Sequence, residues 1–137
     1  MAKEGKAKHN IRVFLSSASE DEYANRLARI LRDDPFITVF SHRMLTAGED
    51  WQSKILKALS QSDVFLLTPR SLESKWVLQE LGAALSMGKR VLAIGEEDVL
   101  SNSYLAKVPE LKILTIKDPD NPESRRQLVE AVLEEVA

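Results

Sequence analysis

Short apolar runs alternate along the chain with segments whose apolar residues recur every three or four positions. The runs are rich in branched aliphatic and aromatic residues and are bounded by polar or turn-forming residues, which is typical of β-strands. Five strands are predicted, at residues 11–15, 37–40, 64–67, 91–94 and 113–116. Several of them have no polar face, as expected for a parallel sheet that is covered on both sides.

Four helices are predicted between and after these strands from the helical spacing of their apolar residues. Their apolar stripes are Tyr23, Leu27, Ile30 and Leu31; Trp51, Ile55, Ala58 and Leu59; Val77, Leu81, Ala84 and Leu85; and Leu128, Val129, Val132 and Val136. Ser19 and Glu22 form a capping-box pattern at the start of the first helix, and Gly88 is a natural left-handed cap for the third. One further short helix is predicted around residues 99–105.

Strands that alternate with helices imply right-handed crossovers and a three-layer α/β sandwich. In such a fold, ligands bind beyond the carboxyl ends of the strands, so the loops after the first three strands are the first candidates for a site. We expect one domain at residues 10–137, preceded by a flexible tail at residues 1–9.

Composition narrows the function. The chain has 137 residues, of which 44% are apolar, and this is enough for one domain with a substantial core. Nineteen basic and 21 acidic residues give a net charge of −2, which does not favour nucleic acid or an anionic membrane as a partner. The absence of cysteine excludes thiolate metal sites and cysteine nucleophiles, and two histidines argue against a zinc site. Because no apolar run has membrane length, we expect a cytoplasmic protein.

The third helix carries the most informative pair of residues. Trp76 and Glu80 are four positions apart and therefore share a face, and Glu80 lies at the border of the apolar stripe. A partly buried carboxylate beside an aromatic wall is a recognisable catalytic environment. The alternative is that Glu80 is a solvated helix residue and Trp76 fills the core.

The connection after the second strand is the second candidate. Residues 41–48 are long for a strand-to-helix loop, and they include Met44 and Leu45, which have no periodicity that would bury them. Long loops with apolar tips often bind a partner or a ligand. The alternative is that Leu45 packs back onto its own domain.

Five motifs in register, from Ile11 to about Ala137, resemble a TIR (Toll/interleukin-1 receptor) domain of the prokaryotic type. They are Val13-Phe14-Leu15-Ser16-Ser17 with Ser19-Glu20-Asp21, Leu45-x-x-Gly48-x-x-Trp51, Ser62-Asp63, Ser74-x-Trp76-Val77-x-x-Glu80-Leu81, and Gly88-Lys89-Arg90-Val91. With this resemblance, the predicted fold is a flavodoxin-like three-layer sandwich with a five-stranded parallel sheet in the order 2-1-3-4-5 and helices on both faces.

The resemblance also implies a chemistry. Enzymatic TIR domains cleave the nicotinamide–ribose bond of NAD+, and their catalytic glutamate corresponds to Glu80. NAD+ would be the substrate, with no metal and no further cofactor, and the product would be ADP-ribose or a cyclic form of it. The substrate-binding residues that the resemblance implies are Ser17, Ser19, Arg43, Leu45, Gly48, Ser74 and Trp76.

The same resemblance implies that the domain assembles with other TIR domains, through the loop that contains Leu45 and Gly48, and that it acts as an immune or toxin-like effector. Small residues at Ser17, Ala18 and Ser19 would leave the pocket rim thin, and Arg43 could supply charge to the pyrophosphate. Two alternatives stay open: a non-catalytic module that signals by TIR–TIR assembly, and an enzyme like the nucleoside deoxyribosyltransferases, which also use a glutamate in a related fold.

Overall fold

The structure is a computed structural model that describes residues 11–17, 21–41, 50–68, 74–96 and 111–136. The predicted tail at residues 1–9 and the predicted helix around residues 99–105 lie outside these ranges. Strands and helices alternate in the described residues as follows: β1 Ile11–Ser16, α1 Glu22–Arg32, β2 Ile37–Phe40, α2 Trp51–Gln61, β3 Val64–Leu67, α3 Lys75–Ser86, β4 Arg90–Gly95, β5 Leu111–Thr115 and α4 Pro122–Val136.

The five strands form one parallel sheet in the order β2-β1-β3-β4-β5. This is the predicted order, and β1 and β3 lie at its centre. The predicted fold class, a flavodoxin-like α/β sandwich, is therefore confirmed. The edge strand β5 differs slightly from prediction, because it begins at Leu111 and leaves Ile113 43% exposed.

Two apolar clusters cover opposite faces of the sheet. Neighbouring residues of a strand point to opposite faces, and β1 accordingly supplies Val13 and Leu15 to one cluster and Phe14 to the other. The first cluster includes buried residues of α1 and α4, such as Leu27 and Leu128. The second includes buried residues of α2 and α3. The helices thus form the two outer layers that the alternating pattern predicts.

The start of α1 corrects the predicted capping box. The helix begins at Glu22, and its N-cap is Asp21, whose carboxylate Oδ1 accepts a hydrogen bond from the backbone N–H of Ala24 at 3.0 Å. Ser19 is therefore not the N-cap. Asp21 also accepts a hydrogen bond from the hydroxyl of Thr68, which follows β3. Because this tertiary contact comes from a distant part of the chain, the local pattern did not reveal it.

Helix α3 matches its predicted end but not its whole predicted stripe. Gly88 has a φ of +71°, in the left-handed region, and its N–H donates to the carbonyl of Leu85. Val77, Leu81 and Ala84 are buried, whereas Leu85 is exposed. At 3.6 residues per turn, Leu85 lies about 80° around the helix from Val77, which is beyond the face that packs on the sheet.

Candidate functional site

One face of α3 borders a cavity. Trp76, Gln79, Glu80 and Ala83 recur at the spacing of neighbours on a helix face, and all four line the cavity. They occupy the side of α3 next to the buried stripe, opposite Leu85. This side of α3 therefore faces the neighbouring helix α2, and Glu80 lies where it meets the sheet.

Helix α2 forms the facing wall. Ile55, Leu56 and Leu59 line the cavity from this side. Together with the four residues of α3 they surround a volume of about 360 Å³. This volume falls within the usual range of small-molecule sites, about 300–1,000 Å³. Five of the seven lining residues are apolar, and the two polar ones, Gln79 and Glu80, are adjacent in sequence.

Hydrogen bonds hold both ends of α2. At its start, Asp50 accepts hydrogen bonds from the hydroxyl and the backbone N–H of Ser53, and these bonds lower the pKa of the Asp50 carboxyl below its ordinary value. At its end, the ammonium of Lys89 donates to the carbonyls of Ser60 and Ser62, each at 2.9 Å. The apolar wall of the cavity is thus held in place at both termini.

Glu80 is more deeply placed than its position at the border of the stripe predicts. Its side chain lines the cavity, yet the residue is only 2% exposed. The hydroxyl of Ser16 donates a hydrogen bond of 2.6 Å to Glu80 Oε1. Because Ser16 is the last residue of β1, this carboxylate lies at the carboxyl end of a central strand, where ligands of open α/β sheets bind.

Trp76 stands one turn before Glu80 and is 46% exposed. A core-filling tryptophan would be buried, so the alternative reading of Trp76 is wrong. Its position is that of a partly exposed wall beside the carboxylate. Contact between its ring and a substrate stays a prediction.

The other predicted site residues are placed as follows. Ser17 follows Ser16 at the end of β1 and is buried. Ser74 is the N-cap residue of α3, but its hydroxyl makes no capping hydrogen bond. Ser19, Arg43, Leu45 and Gly48 lie outside the described residues. Of the predicted set, the structure brings Trp76 and Glu80 together on the cavity, and the roles of the remaining residues in binding stay predictions.

Sequence reasoning missed Ser16 and Gln79. For Ser16 a signal was present, because residues two apart in a strand share a face, and Phe14 points towards α2 and α3. Ser16 therefore points towards α3 as well. Gln79 gave a weaker signal. It is three positions after Trp76 and shares its face, but the sequence does not show that this face of α3 borders a cavity.

A second polar contact lies at the same edge of the sheet. Ser16 is the register partner of Leu67, so Thr68 follows at the end of β3 beside Ser17 at the end of β1. The hydroxyl of Thr68 donates to Asp21, the N-cap of α1. This contact ties the start of α1 to the end of β3.

The described ranges hold neither a metal-binding cluster nor a membrane-spanning helix. No group of three or more histidine or acidic residues there is arranged to hold a metal ion. No helix within them is long and apolar enough to cross a membrane.

Comparison with known proteins gives both a family and a set of folds. The sequence model of the TIR domain family matches residues 13–129, which is most of the chain. A search of the curated proteins found no match.

Several solved structures share the fold. A Clostridium botulinum CMP N-glycosidase, BcmB, is 19% identical, with a TM-score of 0.59 over 89% of this chain and 98% of that one. The TIR domains of the activated Roq1 resistosome, which directly recognises the pathogen effector XopQ, are 17% identical, with a TM-score of 0.55 over 93% of this chain and 84% of that one. A flavodoxin-like domain from a Synechococcus species is 14% identical, with a TM-score of 0.54 over 90% of this chain and 95% of that one. At these identities, the likeness shows the fold alone.

Proposed function

The chain belongs to the TIR domain family, and we propose that it is an enzyme that cleaves the nicotinamide–ribose bond of NAD+, with Glu80 as its catalytic carboxylate. The observation that carries the proposal is the position of Glu80. It is a buried carboxylate on the wall of a mostly apolar cavity, next to a partly exposed tryptophan. Carboxylates in such surroundings are candidates for catalysis rather than for solvation.

The chemistry needs little more than this carboxylate. Nicotinamide in NAD+ is a cationic leaving group, so when the bond from ribose C1′ to the pyridinium nitrogen breaks, nicotinamide departs as a neutral molecule with the bonding electrons. The positive charge that develops on the ribose is stabilised by the negative charge of Glu80, as in glycoside cleavage. Water then adds to C1′ and releases a proton, giving ADP-ribose. Attack by the adenine ring in place of water would give a cyclic product.

The walls of the cavity suit the leaving group. The aliphatic residues of α2 face Trp76 across the cavity, so a flat aromatic ring would find apolar contacts on both sides. The amide of Gln79 can both donate and accept hydrogen bonds, and the carboxamide of nicotinamide has the same two capacities. We assign Gln79 to the recognition of this carboxamide and Trp76 to contact with the ring.

Family membership supports the further steps of the proposal. We propose that the domain acts in the cytoplasm, as an immune or toxin-like effector, and that it assembles with other TIR domains through the loop that contains Leu45 and Gly48. One of the structural neighbours consists of TIR domains within a resistosome, which is an assembly. A non-catalytic TIR module would have no need of a buried carboxylate on a cavity, and this observation favours the enzyme.

Release of nicotinamide by the purified chain tests the proposal. The parent chain is incubated with NAD+ at high protein concentration beside the variant Glu80→Gln, which keeps the shape of the side chain and removes its charge. We expect the variant to lose about two to four orders of magnitude in kcat, the range seen when a positioned acid, base or charge-stabilising group is removed.

Glu135→Gln is the matched control. Glu135 is also a buried glutamate, 3% exposed, but it lies on α4 and forms an ion pair with Lys112 at 3.3 Å. Its neutralisation should lower the melting temperature and leave kcat unchanged. CMP and a deoxynucleoside are offered in parallel, because one structural neighbour is a CMP N-glycosidase. Release of base from either, without nicotinamide from NAD+, would contradict the proposal, and so would a fully active Glu80→Gln variant.

A further inference from the structure

The hydrogen bond between Ser16 and Glu80 joins the central sheet to the cavity helix. Ser16 lies in β1 and Glu80 in α3, 64 positions apart in sequence, and the bond is buried and 2.6 Å long. A hydroxyl that donates to a carboxylate forms a short, charge-assisted bond, roughly twice as strong as a neutral one. It therefore restrains the side chain of Glu80 beyond what packing between α2 and α3 provides.

Ser16 is well suited to serve as a fixed point. It is fully buried, and it pairs in register with Leu67 of β3, so that β1 is held between β2 and β3 at the centre of the sheet. A serine side chain has a single rotatable bond that places its oxygen, which leaves little freedom once the backbone is fixed. Glu80 has three such bonds and is the more mobile partner.

The hydroxyl approaches Glu80 from the sheet side and not from the cavity. Ser16 is absent from the described residues that line the cavity, whereas Glu80 is one of them. We therefore expect a substrate in the cavity to contact the glutamate and not the serine. This arrangement argues against Ser16 as a nucleophile, because a nucleophile must reach the reacting carbon.

We propose that Ser16 is the positioning residue of Glu80, and that its hydroxyl, by holding Oε1, fixes the plane in which the carboxylate faces the ribose. The inference rests on the proposed function, since it assigns a role within that same site. A carboxylate displaced by about 1 Å from the reacting carbon loses on the order of a hundredfold in rate. The substrate itself binds to other groups, so the loss falls on turnover and not on binding.

The first arm of the test is kinetic. Ser16→Ala removes the hydroxyl with almost no change in volume. We expect kcat for nicotinamide release to fall about tenfold to a hundredfold while KM for NAD+ stays within about twofold. Ser62→Ala is the control, because Ser62 is another buried serine, 5% exposed, and lies just before β3. Its hydroxyl donates a hydrogen bond of 2.7 Å to the carbonyl of Leu59. The control variant should leave kcat unchanged.

The second arm does not depend on activity. Thermal melting is measured for the parent chain, Ser16→Ala, Glu80→Ala and the double variant. If the serine acts through the glutamate, removal of its hydroxyl lowers the melting temperature of the parent chain but does not lower that of Glu80→Ala. An equal loss in both backgrounds would overturn the coupling.

The two arms separate the two claims. A parent chain that releases no nicotinamide contradicts the proposed function, while the melting temperatures still show whether Ser16 holds Glu80. An active parent chain with an unchanged kcat in Ser16→Ala overturns the positioning role and leaves the proposed function intact. A rise in KM with constant kcat overturns it as well, because it would make Ser16 a binding residue.

Discussion

Trp76 and Glu80 lie one turn apart on the same helix and line the same cavity, yet Trp76 is 46% exposed and Glu80 only 2%. The two residues therefore mark the rim and the floor of one site. We expect a ligand in the cavity to contact the indole near solvent and the carboxylate at depth. Substitutions at the two positions should consequently affect different kinetic parameters.

Trp76→Ala should raise KM for NAD+ because the nicotinamide ring loses an aromatic contact, which is typically about 0.5–1.5 kcal/mol beyond simple burial. Trp76→Ala should lower the free energy of unfolding by much less than the roughly 3–5 kcal/mol that is lost when a fully buried aromatic residue is truncated. Initial rates over a range of NAD+ concentrations, together with thermal melting, measure both effects.

Phe36 offers a matched control for Trp76. It is 43% exposed, and it lies just before β2, at the end of the sheet remote from Glu80. Phe36→Ala should leave KM unchanged. If Trp76→Ala unfolds the domain, or if both variants alter KM equally, the rim assignment is wrong.

Gln79 should contribute to the recognition of the carboxamide. Gln79→Ala removes a neutral hydrogen bond, typically about 0.5–1.5 kcal/mol, and KM for NAD+ should therefore rise by roughly twofold to tenfold with little change in kcat. The effect should disappear with a dinucleotide whose pyridine ring lacks the carboxamide, because the parent chain then has no bond to lose.

Gln61 serves as the control for this substitution. It is an exposed glutamine at the end of α2 and is absent from the described lining of the cavity. Gln61→Ala should behave like the parent chain with both dinucleotides. An equal rise in KM for the two dinucleotides in Gln79→Ala would show that Gln79 acts on some other part of the substrate.

The sheet and its two outer layers were accessible to sequence reasoning because both depend on periodicity. β3 consists of four buried residues, Val64–Leu67, and its run of apolar letters predicts a central strand without reference to any other element. Helix α4 likewise follows from the helical spacing of Leu128, Val129 and Val132, and before it the Asn121 side chain accepts a hydrogen bond of 2.9 Å from the N–H of Glu123.

The depth of Glu80 was not accessible in the same way. The helix pattern places the residue at the border of a stripe, but its burial also depends on α2 and on the end of β1, which are remote in sequence. The bond from Ser16 spans 64 positions, and the contact between Thr68 and Asp21 spans 47. Contacts between residues so far apart in sequence arise from the packing of several elements, so the pattern of residues within one helix does not predict them.

The cap of α2 predicts a dependence of stability on pH. Hydrogen bonds from Ser53 lower the pKa of Asp50 in the folded state. The stabilisation is therefore fully present above the ordinary pKa of an aspartate, about 3.9, and is lost as the pH falls through the lower folded value. The difference in melting temperature between the parent chain and Asp50→Ala should be largest near neutral pH and should shrink in acid.

Asp50→Asn separates charge from capping. Asparagine also caps helices well, but it does not titrate. The difference between Asp50→Asn and Asp50→Ala should therefore stay constant over the same pH range. If the melting temperature of the parent chain rises relative to that of Asp50→Ala as the solution becomes more acidic, the assigned direction of the pKa shift is wrong.

Assembly of the domain should control its activity. The loop at residues 41–48 carries Leu45 and Gly48, and the resemblance to TIR domains implies that this loop contacts a neighbouring copy and completes the site. A contact between unlike surfaces builds an open filament, so specific activity should rise with protein concentration. Leu45→Asp places a charge in that contact, and Gly48→Pro restricts the backbone of the loop. Each should abolish the rise in activity while the melting temperature stays close to that of the parent chain.

The matched control for Leu45→Asp is Leu133→Asp, since Leu133 is an exposed leucine on α4, 41% exposed and outside the cavity. A loss that reflects a specific contact should occur in Leu45→Asp and not in Leu133→Asp, whereas a general effect of surface charge on association would appear in both. The decisive measurement is specific activity across a hundredfold dilution, with light scattering on the same samples to report particle size. Activity that is independent of dilution would show that the cavity formed by α2 and α3 is complete in a single copy, and the loop would then have no part in catalysis.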